Sequence, residues 1–201
     1  MENPLTEKLF QEIVEEYKKS IVIPDEKPKH QFFLCTVGLV GAGKTTVIKP
    51  LASRLSLIRI SGDEIRKILK SKGLGYDKVW NIGDTIGIEF ARQGYSLAND
   101  TDGATPKTRE ALEKLANELG TKVFYIHINP PEEFILNKLR NFKHTWLFKD
   151  GDQAIENYYQ RKHLHENLNL PYLFTFDTSA NDLEEQINKA AVLIKSESGN
   201  N

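Results

Sequence analysis

A chain of 201 residues is long enough for one sizeable domain and short for two. Its hydrophobic fraction of 39% and formal net charge of −1 suit a soluble globular protein and exclude an overall electrostatic pull toward nucleic acid or an anionic membrane, so any polyanion contact must come from a local patch. The single cysteine, Cys35, excludes an internal disulfide, and the five histidines show no zinc spacing: His163 and His165 fall in a helical pattern that turns their rings to different faces.

Residues 1–8 are acidic and polar where a secretory leader needs a basic start and an apolar stretch, and no run reaches membrane-spanning length. A cytoplasmic protein without membrane attachment is expected. From 5 to 19 the apolar residues Leu5, Leu9, Phe10, Ile13, Val14 and Tyr17 recur at helical intervals, the pattern of an amphipathic helix packed on the core, and no obligate protein partner is evident. Residues 24–29, with Pro24 and Pro28, break regular structure, so 1–30 reads as a helix and linker ahead of the main domain.

The apolar run 32–37, in which Cys35 is small core filler, leads directly into Gly38-Leu39-Val40-Gly41-Ala42-Gly43-Lys44-Thr45. This matches G-x-x-x-x-G-K-[ST] at every fixed position. Apolar residues at helical spacing continue over 44–55, interrupted by Pro50. A strand, a glycine-rich loop and a helix start form the context in which this pattern binds a nucleoside triphosphate. Gly38, Gly41 and Gly43 let the backbone curl so that successive N–H groups, those around Ala42 and Thr46 included, face the phosphates. Lys44 brings a compact positive charge to the β/γ oxygens, and the Thr45 hydroxyl is a ligand for Mg²⁺.

Beyond the loop, short apolar runs at 57–60, 95–99, 122–128 and 173–176 alternate with helical segments at 63–70, 77–93, 106–119, 131–142, 153–167 and 181–195. Strand then helix, five times over, predicts a parallel sheet covered on both faces, with 31–196 as the domain and 197–201 as a frayed tail. Ligands collect at the carboxyl ends of such strands, which directs attention to the residues just past each strand. After the second comes Asp63, placed to accept a proton from an incoming hydroxyl, with Arg66 one helical turn on to hold a polar or anionic part of an acceptor. Ser61 and Asp63 also make good caps, and Asp/Arg spacing also makes a helix salt bridge, so both readings stand. After the third, Asp100, with Asp102 close behind, is either a metal-supporting acid or part of a turn in Asn-Asp-Thr-Asp-Gly.

A basic segment from Lys138 to Gly151 suggests a lid at about 140–152, with Arg140 and Lys143 on the β/γ phosphates and Arg161 as a further contact. Tyr76, Trp80 and Trp146 line an acceptor pocket or belong to the core.

The P-loop, the S-x-D-x-x-R run Ser61-Gly62-Asp63-Glu64-Ile65-Arg66, a strand ending in an acid and a helix with a basic segment carry a resemblance over 32–191. The chain resembles the P-loop kinases grouped with polynucleotide kinase, zeta toxin and the chloramphenicol and seryl-tRNA kinases, often labelled AAA-type ATP-binding domains. That resemblance implies a three-layer α/β/α P-loop NTPase fold with a five-stranded parallel sheet of order 2-3-1-4-5. It implies ATP and Mg²⁺ as ligands, Asp63 as general base, Arg66 and an arginine at Arg109 on the acceptor, and a lid that here carries fewer arginines than is typical. The implied activity is transfer of the γ-phosphoryl of ATP to a hydroxyl on a small molecule, a nucleoside or a nucleic-acid 5′ end. The alternatives are a nucleotide-binding regulatory ATPase and, less well supported, a GTPase switch. For the latter, Asp84-Thr85-Ile86-Gly87 falls inside a predicted helix, Asn137-Lys138-Leu139-Arg140 lacks the acid that reads guanine, and Thr178-Ser179-Ala180 equally ends the last strand of small P-loop kinases.

Overall fold

Phe32–Val37 is buried along its whole length, the pattern of a strand flanked on both edges and covered on both faces. In the computed structural model, which describes residues 6–141 and 147–199, this is β1, the centre of a five-stranded sheet. The other strands are β2 (Ile58–Ser61), β3 (Leu97–Asp100), β4 (Lys122–Ile128) and β5 (Tyr172–Phe176), in the order β2-β3-β1-β4-β5, with every pair parallel. The helices are α1 (Glu7–Ser20), α2 (Lys44–Arg54), α3 (Gly62–Ser71), α4 (Val79–Arg92), α5 (Pro106–Leu119), α6 (Glu132–Arg140), α7 (Gly151–Glu166) and α8 (Leu183–Gly199). This is a three-layer α/β/α P-loop NTPase fold.

Strand alternation sorts the core into two halves. Phe33, Cys35 and Val37 face a cluster that includes Ile13 and Tyr17 of α1, Ile65 of α3, Ile82 of α4 and Leu112 of α5. Phe32 and Leu34 face the other, with Val47 of α2, Leu139 of α6, Tyr158 of α7 and Ile194 of α8. Each large side chain so buried contributes about 1.5–3 kcal/mol of transfer free energy. The apolar stripe of α1 is thus spent inside the molecule: Tyr17 is fully buried, and its hydroxyl accepts the Ser61 N–H at 2.7 Å.

Three local expectations shift. Asp100 is a strand residue rather than a turn residue, because Ser61 pairs opposite it and carries the ladder one step further. Pro50 lies within α2, which continues to Arg54. The stretch expected to fray is helical as far as Gly199, where Ser198 Oγ donates to the Lys195 carbonyl and Lys122 Nζ to that of Glu197. Among the described residues no helix is long and apolar enough to cross a membrane.

Candidate nucleotide and acceptor site

At the end of β1 the backbone passes so close to β4 that a Cβ on Gly38 would lie 2.6 Å from the Ile128 carbonyl oxygen, so only glycine fits. Gly43, at φ +94°, turns the chain through the left-handed region into α2, leaving the helix N-terminus with no side-chain cap and no acid in its first turn. Its peptide dipoles are therefore free to meet an anion. The loop is braced from outside. Thr178 Oγ1, after β5, donates to the Ala42 carbonyl at 2.6 Å, while Ile135 and Leu139 of α6 lie against Gly41. Lys44 Nζ donates to the Gly38 and Leu39 carbonyls at 2.7 and 3.1 Å, which holds its charge over the loop, and Thr46 is exposed in the first turn of α2.

Asp100, at the tip of the adjacent β3, has a side chain 3% exposed. Thr45 Oγ1 lies 3.1 and 3.2 Å from its two carboxylate oxygens, and Arg59 Nη1 donates to it at 2.6 Å. Burial pushes this carboxyl above the usual carboxylate range, against the pull of Arg59 and Thr45. A hydroxyl beside one buried carboxylate is a hard-oxygen donor set. It fits Mg²⁺, which takes few protein ligands and fills its octahedron with phosphate oxygens and water. Among the described residues no cluster of three or more histidine, cysteine or acidic side chains offers an all-protein metal cage.

Asp102 points elsewhere. His165 Nε2 lies 3.1 Å and Arg161 Nη2 3.0 Å from its carboxylate, so Arg161, which also donates to Thr105 Oγ1 at 2.8 Å, ties α7 to the loop after β3. Burial would raise the Asp102 carboxyl, but the His165 hydrogen bond and the nearby Lys44 charge hold it well below the usual range.

On the next strand tip, Ser61 caps α3 by accepting the Glu64 N–H, and Asp63 pairs with Arg66 at 2.8 Å. The cap and the helix salt bridge anticipated for these residues are both present. The Asp63 side chain is nonetheless 46% exposed. The Arg66 guanidinium lies 5.9 Å from the Trp80 ring centre, and a Cβ on Gly62 would lie 3.2 Å from both Arg66 Nη1 and Thr101 Cγ2. The tips of β2, β3 and β1 therefore present, in a row, Asp63 with Arg66, Asp100, and the phosphate loop.

The remaining expected residues are spread around this row. Arg109 is half-buried and donates to the Gly103 carbonyl at 3.1 Å, fastening the loop after β3. Arg140 is exposed and donates to Asn137 Oδ1 on its own helix at 2.6 Å. Lys143 and Trp146, also assigned to the lid, lie outside the described residues. Tyr76 packs at the edge of the core. Two of the three GTPase-like fragments fall within α4 and α6, and the third, Thr178-Ser179-Ala180, follows β5. Cys35 is fully buried, which pushes its thiol up to about 12 and leaves it inert.

Sequence reasoning missed several contributors. Arg59 carried a readable signal, a charge set between Ile58 and Ile60 in a buried strand. Lys138, which opens the basic segment already singled out, has its pKa depressed by burial and by the repulsion of Lys44. Tyr17 is legible as a core-facing residue and Thr178 as the end of the last strand, but nothing local marks their bonds to the Ser61 N–H and the Ala42 carbonyl.

A family model described as an AAA domain matches residues 33–145. No curated protein matches the chain. Several solved structures are similar in fold. One, from the PezAT chromosomal toxin–antitoxin system of Streptococcus pneumoniae, is 15% identical with a TM-score of 0.59, over 98% of this chain and 98% of that one. The APS kinase CysC of Mycobacterium tuberculosis, in complex with AMPPNP and APS, is 16% identical with a TM-score of 0.55, over 84% and 99%. A gluconokinase from Sinorhizobium meliloti is 15% identical with a TM-score of 0.55, over 87% and 97%.

Proposed function

The chain belongs to the AAA domain family, and from that premise we propose that it is an ATP-dependent phosphotransferase, passing the γ-phosphoryl group of ATP to a hydroxyl acceptor. The observation that carries this reading is the row of three strand tips. A triphosphate cradle on β1 and a buried acid on β3 that meets Thr45 are joined by a half-exposed carboxylate on β2 paired with an arginine. A phosphoryl-transfer site needs these parts: a grip on the donor, a metal-supporting acid, and a group to take the acceptor's proton.

In this reading Gly38, Gly41, Ala42, Gly43 and Thr46 hold the phosphates through the loop and the first turn of α2, with Lys44 and Lys138 supplying positive charge. Thr45 and Asp100 would hold Mg²⁺, which neutralises charge on the phosphate oxygens when bound. Arg66 orients the acceptor. Its hydroxyl oxygen bonds to the γ-phosphorus as the bond from that phosphorus to the β–γ bridging oxygen breaks, ADP leaves with that electron pair, and the hydroxyl proton passes to Asp63. Arg140 and Lys143 would add charge to the moving phosphoryl group, and Arg109 supports the acceptor side through the loop after β3. An APS kinase and a gluconokinase among the proteins of similar fold support a small-molecule acceptor. A cytoplasmic setting, where ATP is supplied and thiols stay reduced, fits the reading.

The test is mass spectrometry after incubation with ATP, Mg²⁺, a metabolite mixture and a 5′-hydroxyl oligonucleotide. The expected result is ADP together with a phosphorylated small molecule. A phosphorylated oligonucleotide would move the acceptor to nucleic-acid ends, and tight ATP binding with no phosphorylated product would move the chain to the regulatory ATPases.

A further inference from the structure

Next to the Asp63–Arg66 pair, a cavity of about 310 Å³ opens between α3, α4 and α5 over the β2 and β3 part of the sheet. Its lining includes Gly62, Val79, Trp80 and Thr101, with Arg66, Thr101 and Val79 all close to Gly62 and Arg66 near the Trp80 ring, and reaches Leu97, the first residue of β3. Ile60, Ile65, Leu97 and Leu112, each less than one-tenth exposed, form its buried apolar lining, and Asn99 and exposed charged residues of α4 and α5 also border it. The volume falls at the lower end of the range for ligand pockets, about 300–1,000 Å³.

Two details indicate that the space is built rather than left over. First, α4 carries Gly83 and Gly87, one helical turn apart and both on the cavity wall. Neither has a positive φ, and each costs a helix interior about 0.5–1 kcal/mol relative to alanine. A Cβ on Gly83 would lie 3.5 Å from Ile60 Cγ2 and 3.6 Å from Ile65 Cδ1; one on Gly87 would lie 3.6 Å from Leu97 Cδ1. These are ordinary contacts, so close packing does not demand glycine, and what the absent side chains leave is open volume. Second, Thr108 of α5 lines the same cavity at 6% exposure, and its Oγ1 has no hydrogen-bond partner among the described residues. An unpartnered buried hydroxyl costs about 1–3 kcal/mol, which a polar atom on an occupant removes.

We propose that this groove takes the body of the acceptor, and that the acceptor class is an alcohol with an extended apolar body, a chain or a ring system bearing one or two polar atoms, rather than a sugar or a nucleotide. The proposal rests on the phosphotransferase reading for the placement of the reacting hydroxyl beside Asp63. A sugar or nucleotide seated here would set some of its hydroxyls against Ile60, Ile65 and Leu97, where they give up water without a replacement. An apolar chain incurs no such cost, and its single polar atom meets Thr108.

The experiment separates binding from chemistry, with 1-octanol as the probe and with gluconate and adenosine as polar comparators. Octanol binding is measured by calorimetry on the full chain and on Gly83→Leu and Leu112→Phe, which fill the groove from opposite walls. Product is measured as ATP-dependent phosphate ester by mass spectrometry. Saturable octanol binding is expected, weakened about tenfold or more in both variants, in line with the sensitivity of apolar pockets to small changes in volume. Octyl phosphate is expected to form in preference to either polar ester, and ATP affinity should stay within about twofold, because neither wall touches the phosphate loop. If Gly83→Leu does not fold, Leu112→Phe carries the same test. Absent octanol binding, or binding that the fillers leave unchanged, overturns the groove assignment. So does phosphorylation of a polar alcohol whose kcat/KM the fillers do not alter, and in that case the phosphotransferase reading survives. Octanol binding that the fillers block, with no alcohol phosphorylated at all, has the opposite meaning: the groove stands and the phosphotransferase reading falls.

Discussion

The phosphate side and the proposed acceptor side of this molecule are built in opposite ways. The phosphate loop is one contiguous run from Gly38 to Thr45, in which the working groups are mostly backbone N–H and the glycines are set by a close approach and by left-handed turns. The acceptor side is assembled from pieces far apart in the chain. Tyr17 of α1 holds Ser61, Gly62 sits against Thr101, and Arg66 lies over Trp80. A triphosphate offers the same atoms to every protein that binds it, so a short local motif can serve. A pocket for a particular alcohol needs side-chain shape, which only several packed elements supply.

If the two sides are separable in this way, they break separately. Asp63→Asn keeps the size of the side chain but removes the proton acceptor. Turnover is expected to fall by about 10²–10⁴, the usual contribution of a general base, while ATP affinity by calorimetry stays near wild type. Lys44→Ala should lose both, because its charge sits over the phosphate loop itself. Wild-type turnover in Asp63→Asn would remove this acid from the mechanism and leave the acceptor side without a base.

The next effect is on stability. Tyr17→Phe deletes the hydroxyl that accepts the Ser61 N–H and strands that buried donor, at a cost of about 1–3 kcal/mol. Each kcal/mol shifts the melting temperature by about 2–4 °C for a chain of this size. ATP affinity should change little, since the lost bond supports the strand tip before Asp63 rather than the loop around Lys44. An unchanged Tm would show that α1 does not brace the acceptor side.

The same contrast explains what the sequence made legible. The phosphate loop, the parallel sheet and the helix that carries Asp63 and Arg66 are local patterns, readable from spacing alone. The pairing of Thr45 with Asp100, the capture of Arg161 by Asp102 and the seat of Tyr17 join residues that are tens of positions apart, and no periodicity encodes them. Asp100 reads equally as a metal-supporting acid or a turn residue from sequence because its strand is short and ends in polar residues. Its burial comes from β1 and β2 on either side, and its charge is met by Arg59 from the neighbouring strand. Only the facing walls of α3 and α5 give the glycines of α4 a meaning.

A smaller effect sharpens that meaning. Gly87→Ala places its Cβ at ordinary contact distance from Leu97 and relieves the helix of a flexible residue, so stability should rise by about 0.5–1 kcal/mol in a thermal melt. A loss of stability would mean that the wall of the groove is tighter than its distances indicate.

The smallest expected effect bears on how apolar the groove is. Asp84, on the rim of α4, is an exposed residue whose carboxyl is nevertheless held above the usual range by desolvation, partly offset by Lys107. A carboxyl with a raised folded pKa binds its proton more readily in the folded state. The folded state therefore loses stability as pH rises from the ordinary carboxylate range through the folded value, and the full penalty is present at neutral pH. Asp84→Asn removes the ionisation, so its Tm should exceed wild type at pH 7, with the gap closing toward about pH 3, where the wild-type carboxyl is also neutral. The gap should be small, because solvent screens so exposed a group. If wild type is instead the more stable protein at pH 7, the attraction of Lys107 outweighs desolvation. That wall then welcomes a charge, and an acceptor with a polar flank fits it better than a bare chain.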